Sequence, residues 1–103
     1  MLKGSAAPHF NYVGDSVVGQ NVNLGGGTML ANYRFDAKAV KVTLTGGLKV
    51  SSGLNKLGCL IGRNSKTGAN VVINPGVILG KNCLVFPGIV VKKNLRDNTV
   101  LKE

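Results

Sequence analysis

A chain of 103 residues holds one domain at most, and this one carries 15 glycines, three Phe, two Tyr and no Trp. That inventory excludes a conventional core of large side chains and suits a narrow structure of small residues and repeated corners. Thirteen Lys and Arg against four Asp and Glu leave a formal charge of +9, which predicts an anionic partner; the basic residues are scattered without an aromatic-rich RNA-binding signature or a helix-turn-helix pattern, so a phosphorylated small molecule is expected rather than nucleic acid.

In chain order, residues 1–11 are polar to mixed and contain the only histidine, His9. Pro8 holds Ala7 extended. From Tyr12 the chain falls into hexapeptides, YVGDSV, VGQNVN, LGGGTM and LANYRF, covering 12–35. Their opening residues, Tyr12, Val18, Leu24 and Leu30, are expected to point inward. Their fourth residues are Asp15, Asn21, Gly27 and Tyr33. Gly, Asn and Asp visit the left-handed backbone region at low cost, so these positions predict tight corners. Tyr33 does not suit one and Arg34 is a poor inward residue, so the register is expected to end there.

Residues 36–60 interrupt the repeat. Val40, Val42 and Leu44, then Leu48 and Val50, alternate with polar residues around Gly46-Gly47, the signature of a two-stranded hairpin. Such a hairpin is weak alone, so it is expected to rest on the remainder of the chain or on a neighbouring subunit. Lys38, Lys41, Lys49 and Lys56 lie on its flank and body.

The period returns at Ile61 and runs to about Arg96 without a gap: IGRNSK, TGANVV, INPGVI, LGKNCL, VFPGIV and VKKNLR. The opening residue is aliphatic at Ile61, Ile73, Leu79, Val85 and Val91, with Thr67 the exception. The fifth column (Ser65, Val71, Val77, Cys83, Ile89, Leu95) is compact or apolar. Strand side chains alternate between faces, so both columns face one interior. The fourth column is Asn64, Asn70, Gly76, Asn82, Gly88 and Asn94. A fixed hexapeptide period predicts an all-β solenoid, a parallel β-helix of about three coils, with 97–103 as a tail. Short solenoids expose flat faces and both ends, which predicts self-association. Cys59 and Cys83 make no disulfide framework, and Cys83 sits at an inward position as a small buried residue. No apolar run reaches membrane-spanning length and no signal peptide is visible, so no membrane partner and a cytoplasmic location are expected.

The segments APHFNYVGDSVVGQNVNLGGGT and LANYRFDAKAVKV, followed by Leu57-Gly58-Cys59-Leu60-Ile61-Gly62 and Thr67-Gly68-Ala69-Asn70, resemble the acetyltransferase domain of bifunctional sugar-1-phosphate nucleotidylyltransferases. That domain belongs to the left-handed β-helix, hexapeptide-repeat acyltransferases. The resemblance covers nearly the whole chain, and PHxxYVGDS, ANYR and DxKxxKV are its specific parts. It implies acetyl transfer from acetyl-CoA to an amino-sugar 1-phosphate, a step towards UDP-N-acetylglucosamine, in a groove between subunits of a homotrimer and without a metal. By motif, His9 is implied as general base. Tyr12 and Asn32 are implied to bind the sugar, and Lys38 and Lys41 its phosphate. Gly26, Ala69 and Pro87 are implied to line the coenzyme groove, and the charge of Lys92 and Lys93 suits the coenzyme phosphates. No segment reads as a nucleotidylyltransferase domain, so the expectation is a stand-alone or excised C-terminal domain.

The alternative is a non-catalytic trimerisation and regulatory module of the same kind of protein. A hexapeptide-repeat carbonic anhydrase is excluded, because its zinc needs three histidine ligands and this chain has one histidine. A lipid-A-type acyltransferase is disfavoured by the ANYR and DAKAVK segments. Each site residue also has a plain structural use: His9 as a surface loop residue, Tyr12 as core, and Lys38 and Lys41 as solubilising charges on a hairpin edge.

Overall fold

The computed structural model describes residues 1–103. Short parallel strands wind into a left-handed β-helix of triangular section, so that each strand pairs with those one coil above and below. Face I holds β2 (Val17–Val18), β7 (Leu60–Ile61) and β10 (Ile78–Leu79). Face II holds β3 (Asn23–Leu24), β8 (Lys66–Thr67), β11 (Leu84–Val85) and β13 (Val100–Leu101). Face III holds β1 (Tyr12–Val13), β4 (Met29–Leu30), β9 (Val72–Ile73) and β12 (Val90–Val91). Between β4 and β7 an antiparallel hairpin is inserted, formed by β5 (Lys41–Thr43) and β6 (Lys49–Ser51). The body measures 31 × 28 × 28 Å.

In nearly every strand the second residue is buried and the first faces out. Leu24, Leu30, Ile73 and Val85 are fully buried, each stabilising the fold by about 1.5–3 kcal/mol relative to exposure. Thr67 is buried among them. Its hydroxyl sits 2.8 Å from that of Thr28 and accepts the Gly25 N–H at 3.2 Å, which meets the requirement that a buried polar group be paired.

The corners follow the predicted chemistry. Asp15, Asn21, Asn64, Asn70 and Asn82, with Gly27, Gly76 and Gly88, have positive φ. Along the edge between faces I and II the asparagines stack as a ladder: the Asn64 N–H donates to Gln20 O, Asn82 to Arg63 O and Asn98 to Lys81 O, all at 2.8–2.9 Å.

The frame departs from the expected one at both ends. Val13, not Tyr12, pairs with Leu30, so Val13 holds the opening position and Tyr12 points outward opposite Met29. The first corner is one residue short. At the other end Asn94 is absent from the positive-φ corners. Leu95 bridges Leu79, an opening-column residue, only four residues after Val91. The corner therefore loses two residues, and the Asn94 side chain fills the gap by accepting the Ile78 N–H at 2.8 Å. The frame then continues through the Asn98 corner to β13, which pairs with β11, so 97–103 are coil rather than tail. Residues before Tyr12 also join the helix: Leu2 N–H donates to Val18 O, and Ala6 bridges Asn23.

The hairpin rests on the helix. Val40 is buried, and it lies with the Lys41 carbonyl directly over Gly76, where an added Cβ would stand 2.3 Å from Lys41 O and 2.9 Å from Val40 Cγ1. The Asn94 amide donates to Thr43 O at 2.8 Å and ties β5 to the shortened corner.

Candidate functional site

The edge between faces II and III gathers His9, Gly26, Ala69 and Pro87. The Asn70 N–H donates to Gly26 O at 2.8 Å and the Gly88 N–H to Ala69 O at 2.9 Å, so the three corner residues stack along the helix axis. Packing there requires small residues: a Cβ on Gly68 would meet Pro87 Cγ at 2.6 Å, and one on Gly25 the Gly68 carbonyl carbon at 2.6 Å. His9 crowns the line, with a Cβ on Gly26 falling 3.3 Å from His9 Cβ and 3.5 Å from its ring. The loop carrying His9 is pinned on both sides. Gly27 N–H donates to Phe10 O at 2.6 Å, and the Asn11 amide donates to Gly25 O at 2.8 Å. Gly26 N–H finds no acceptor within the chain. The imidazole itself is exposed, beside a shallow depression of about 330 Å³ lined by Pro8, His9 and Phe10.

Tyr12 and Asn32 meet at the far side of face III. A Cβ on Gly14 would stand 2.5 Å from Tyr12 Cε2 and 2.6 Å from Asn32 Nδ2, so both side chains cover that glycine. Asn32 donates to Asp15 Oδ2 at 2.7 Å, which fixes its amide and leaves its own oxygen without a partner. The outward setting of Tyr12 removes the need to read it as core.

The edge between faces III and I holds the cationic residues. A cavity of about 500 Å³ is lined by Arg34, Lys41, Lys49, Lys92 and Lys93, with Gly76 at its floor. Lys38 is not among its lining residues. The chain turns before Lys38, at Ala37 (φ 58°), rather than between Lys38 and Lys41, and the Lys38 N–H instead caps Asp36 Oδ1 at 3.1 Å. That hydrogen bond, reinforced by Arg34, holds the Asp36 carboxyl below its ordinary value.

Arg34 and Lys49 escape a reading by motif. The hairpin register pairs Lys49 with Thr43, which puts Lys49 on the same side as Lys41; a hairpin centred on Gly46-Gly47 would have paired Lys49 with Leu44 and turned it to the other face. Cys59 is free and buried, and burial pushes its thiol up to about 11, so it is no nucleophile. No group of three or more His, Cys, Asp or Glu side chains is placed to hold a metal ion. No helix is long and apolar enough to cross a membrane.

Residues 58–92 match the family model described as bacterial transferase hexapeptide (six repeats). Among curated proteins, a bifunctional sugar-1-phosphate nucleotidylyltransferase/acetyltransferase of Sulfurisphaera tokodaii is 52% identical over 80 residues, 78% of this chain and 20% of that protein. The bifunctional protein GlmU of Methanocaldococcus jannaschii is 40% identical over 101 residues, 98% of this chain and 24% of its own length. An uncharacterized acetyltransferase, YaiX, of Escherichia coli is 36% identical over 88 residues, 85% of this chain and 38% of its length. The chain thus spans a fifth to a quarter of the first two relatives.

Proposed function

The chain belongs to the hexapeptide-repeat transferase family, and on that premise we propose that it transfers acetyl from acetyl-CoA to the amine of glucosamine 1-phosphate or galactosamine 1-phosphate, as the C-terminal part of a sugar-1-phosphate nucleotidylyltransferase-type protein. The observation that carries this reading is the His9 ring, on a pinned loop, set against Gly26, whose N–H is free. The amine nitrogen attacks the thioester carbonyl. As the C–N bond forms, His9 accepts the amine proton and the Gly26 N–H meets the oxyanion. The C–S bond then breaks, and the imidazolium returns the proton to the departing thiolate.

Tyr12 and the fixed Asn32 amide orient the sugar, and Lys41 holds its phosphate, while Lys38 lies outside the cavity that contains Lys41. The coenzyme lies along the Gly26, Ala69 and Pro87 line. Lys92 and Lys93 are kept from that line in the same chain by the width of face III, so they meet it only from a neighbouring copy.

A homotrimer fits the outward columns. Face I presents Val17 and Leu60, and face III presents Met29 and Val90, all exposed, whereas face II mixes polar Asn23 and Lys66 with exposed Leu84 and Val100. Burying apolar faces against further copies is the inexpensive way to remove them from water. The cytoplasm is the proposed location.

The test is thiol release from acetyl-CoA with a panel of amino-sugar 1-phosphates, alongside light scattering of the same sample. Turnover with one or both phosphosugars by a trimer is expected. A trimer that releases no thiol with any of them would replace this reading with that of a non-catalytic assembly module.

A further inference from the structure

We infer that Asp15 is a positioning residue that fixes the polarity of the Asn32 side chain, so that Asn32 offers an acceptor oxygen to the amine of the sugar. The identity of that ligand rests on the acetyl-transfer reading; the role of Asp15 is additional to it. Seven non-glycine residues have positive φ: five asparagines, Ala37 and Asp15. Among the repeat corners, Asp15 (φ 43°) is therefore the one acidic residue. Asparagine and glycine serve the other corners, so the left-handed backbone does not by itself call for a carboxylate. Ion pairing does not call for one either. The chain has thirteen Lys and Arg, yet its single ion pair joins Arg34 to Asp36. Asp15 instead accepts the Asn32 amide N–H at 2.7 Å through Oδ2.

A carboxylate differs from an asparagine there in one respect, since it accepts hydrogen bonds and donates none. An asparagine at 15 would meet either end of the Asn32 amide; the Asp15 carboxylate admits only the NH2 end. The Asn32 oxygen is then turned away from Asp15 and has no partner within the chain. Negative charge behind the amide also polarises it and strengthens that oxygen as an acceptor. The backbone keeps the pair in register. Leu57 N–H donates to Asn32 O at 3.0 Å, and Gly58 N–H donates to Asp15 O at 2.9 Å. Ser16 Oγ donates to Gly14 O at 2.8 Å and accepts the Cys59 N–H at 3.0 Å. A Cβ on Gly58 would run into both Ser16 Oγ and Gly14 O, so the corner sits directly on the coil below. Asn32 and Tyr12 both cover Gly14, and the acceptor thus stands beside the Tyr12 ring. A fixed acceptor beside a primary amine takes one N–H and so directs the nitrogen lone pair, the orientation that attack on a thioester requires.

The experiment is a double-mutant cycle, read by calorimetric titration of the full chain with glucosamine 1-phosphate and by NMR of the Asn32 side-chain amide. Asp15→Asn keeps a residue suited to the corner and is expected to weaken binding about tenfold. In the Asn32→Ala background the same substitution should change binding less than about twofold, because Asp15 acts through Asn32. Asp97, whose carboxylate accepts the Lys81 N–H at 2.8 Å, lies at another corner. Asp97→Asn removes the same charge and should leave binding unchanged. In the ligand-free chain the Asn32 amide resonances should shift in Asp15→Asn and stay in place in Asp97→Asn. Equal losses in the two backgrounds, or Asn32 resonances unmoved by Asp15→Asn, would overturn the inference. A wild-type chain that binds the phosphosugar and releases no thiol would contradict acetyl transfer alone, and the cycle would still decide the role of Asp15.

Discussion

Thr67 stands in a column otherwise aliphatic and fully buried, and its hydroxyl is joined to Thr28 at 2.8 Å and to the Gly25 N–H at 3.2 Å. Thr67→Val keeps the shape but strands the Thr28 hydroxyl in the interior. The expected loss is about 1–3 kcal/mol, the usual cost of an unsatisfied buried polar group, read by denaturant titration; an unchanged midpoint would show that the Gly68 carbonyl, 3.3 Å from the Thr28 hydroxyl, suffices as partner. Cys59 gives a pH dependence. Burial raises its folded value from 9.0 to about 11, so on raising the pH the unfolded chain loses the thiol proton first. Stability is therefore intact below pH 9 and declines as pH rises towards 11. Denaturation midpoints across that window should fall for the wild type more than for Cys59→Ala; parallel curves would contradict the burial of the thiol.

At the level of elements, the inserted hairpin places Lys41 in the cationic cavity and rests on the helix through Val40 and Gly76. The sugar phosphate is remote from the reacting amine, so Lys41 should contribute uniform binding. Lys41→Ala is expected to raise KM for the phosphosugar more than it lowers kcat, by an amount corresponding to about 1.5–3 kcal/mol for a charged hydrogen bond. Equal losses with unphosphorylated glucosamine, in steady-state kinetics, would return Lys41 to a solvated edge. Corners and hairpin were legible in the sequence because they obey local rules: left-handed φ selects Asn and Gly, and strand alternation marks Val40 to Val50. The two frame slips were not. Tyr12 and Val13 are both apolar and satisfy either frame, and Leu95 suits both the fifth and the opening column. Only pairing with Leu30 and Leu79 decides between them. The cationic cavity was hidden for a related reason, since its lysines are scattered in sequence and meet only through coil stacking and hairpin register.

For the whole molecule, a triangular helix separates its chemistry by edge. One edge is an asparagine ladder, one carries His9 over the Gly26, Ala69 and Pro87 stack, and one carries the cations. Face III divides the two chemical edges, and its outward column is apolar; under the proposed homotrimer, association of copies is what would bring both edges to one groove. The sequence made the fold and the His9 motif readable, since one is periodic and the other contiguous. It could not make readable which edges face each other. The central claim is that His9 is the base for acetyl transfer. Its most direct measurement is the rate of thiol release from acetyl-CoA with glucosamine 1-phosphate, for wild type and His9→Ala in the same assembly state. A loss of ~10²–10⁴-fold, with trimer mass unchanged, is the predicted result; near wild-type turnover by the variant would contradict it.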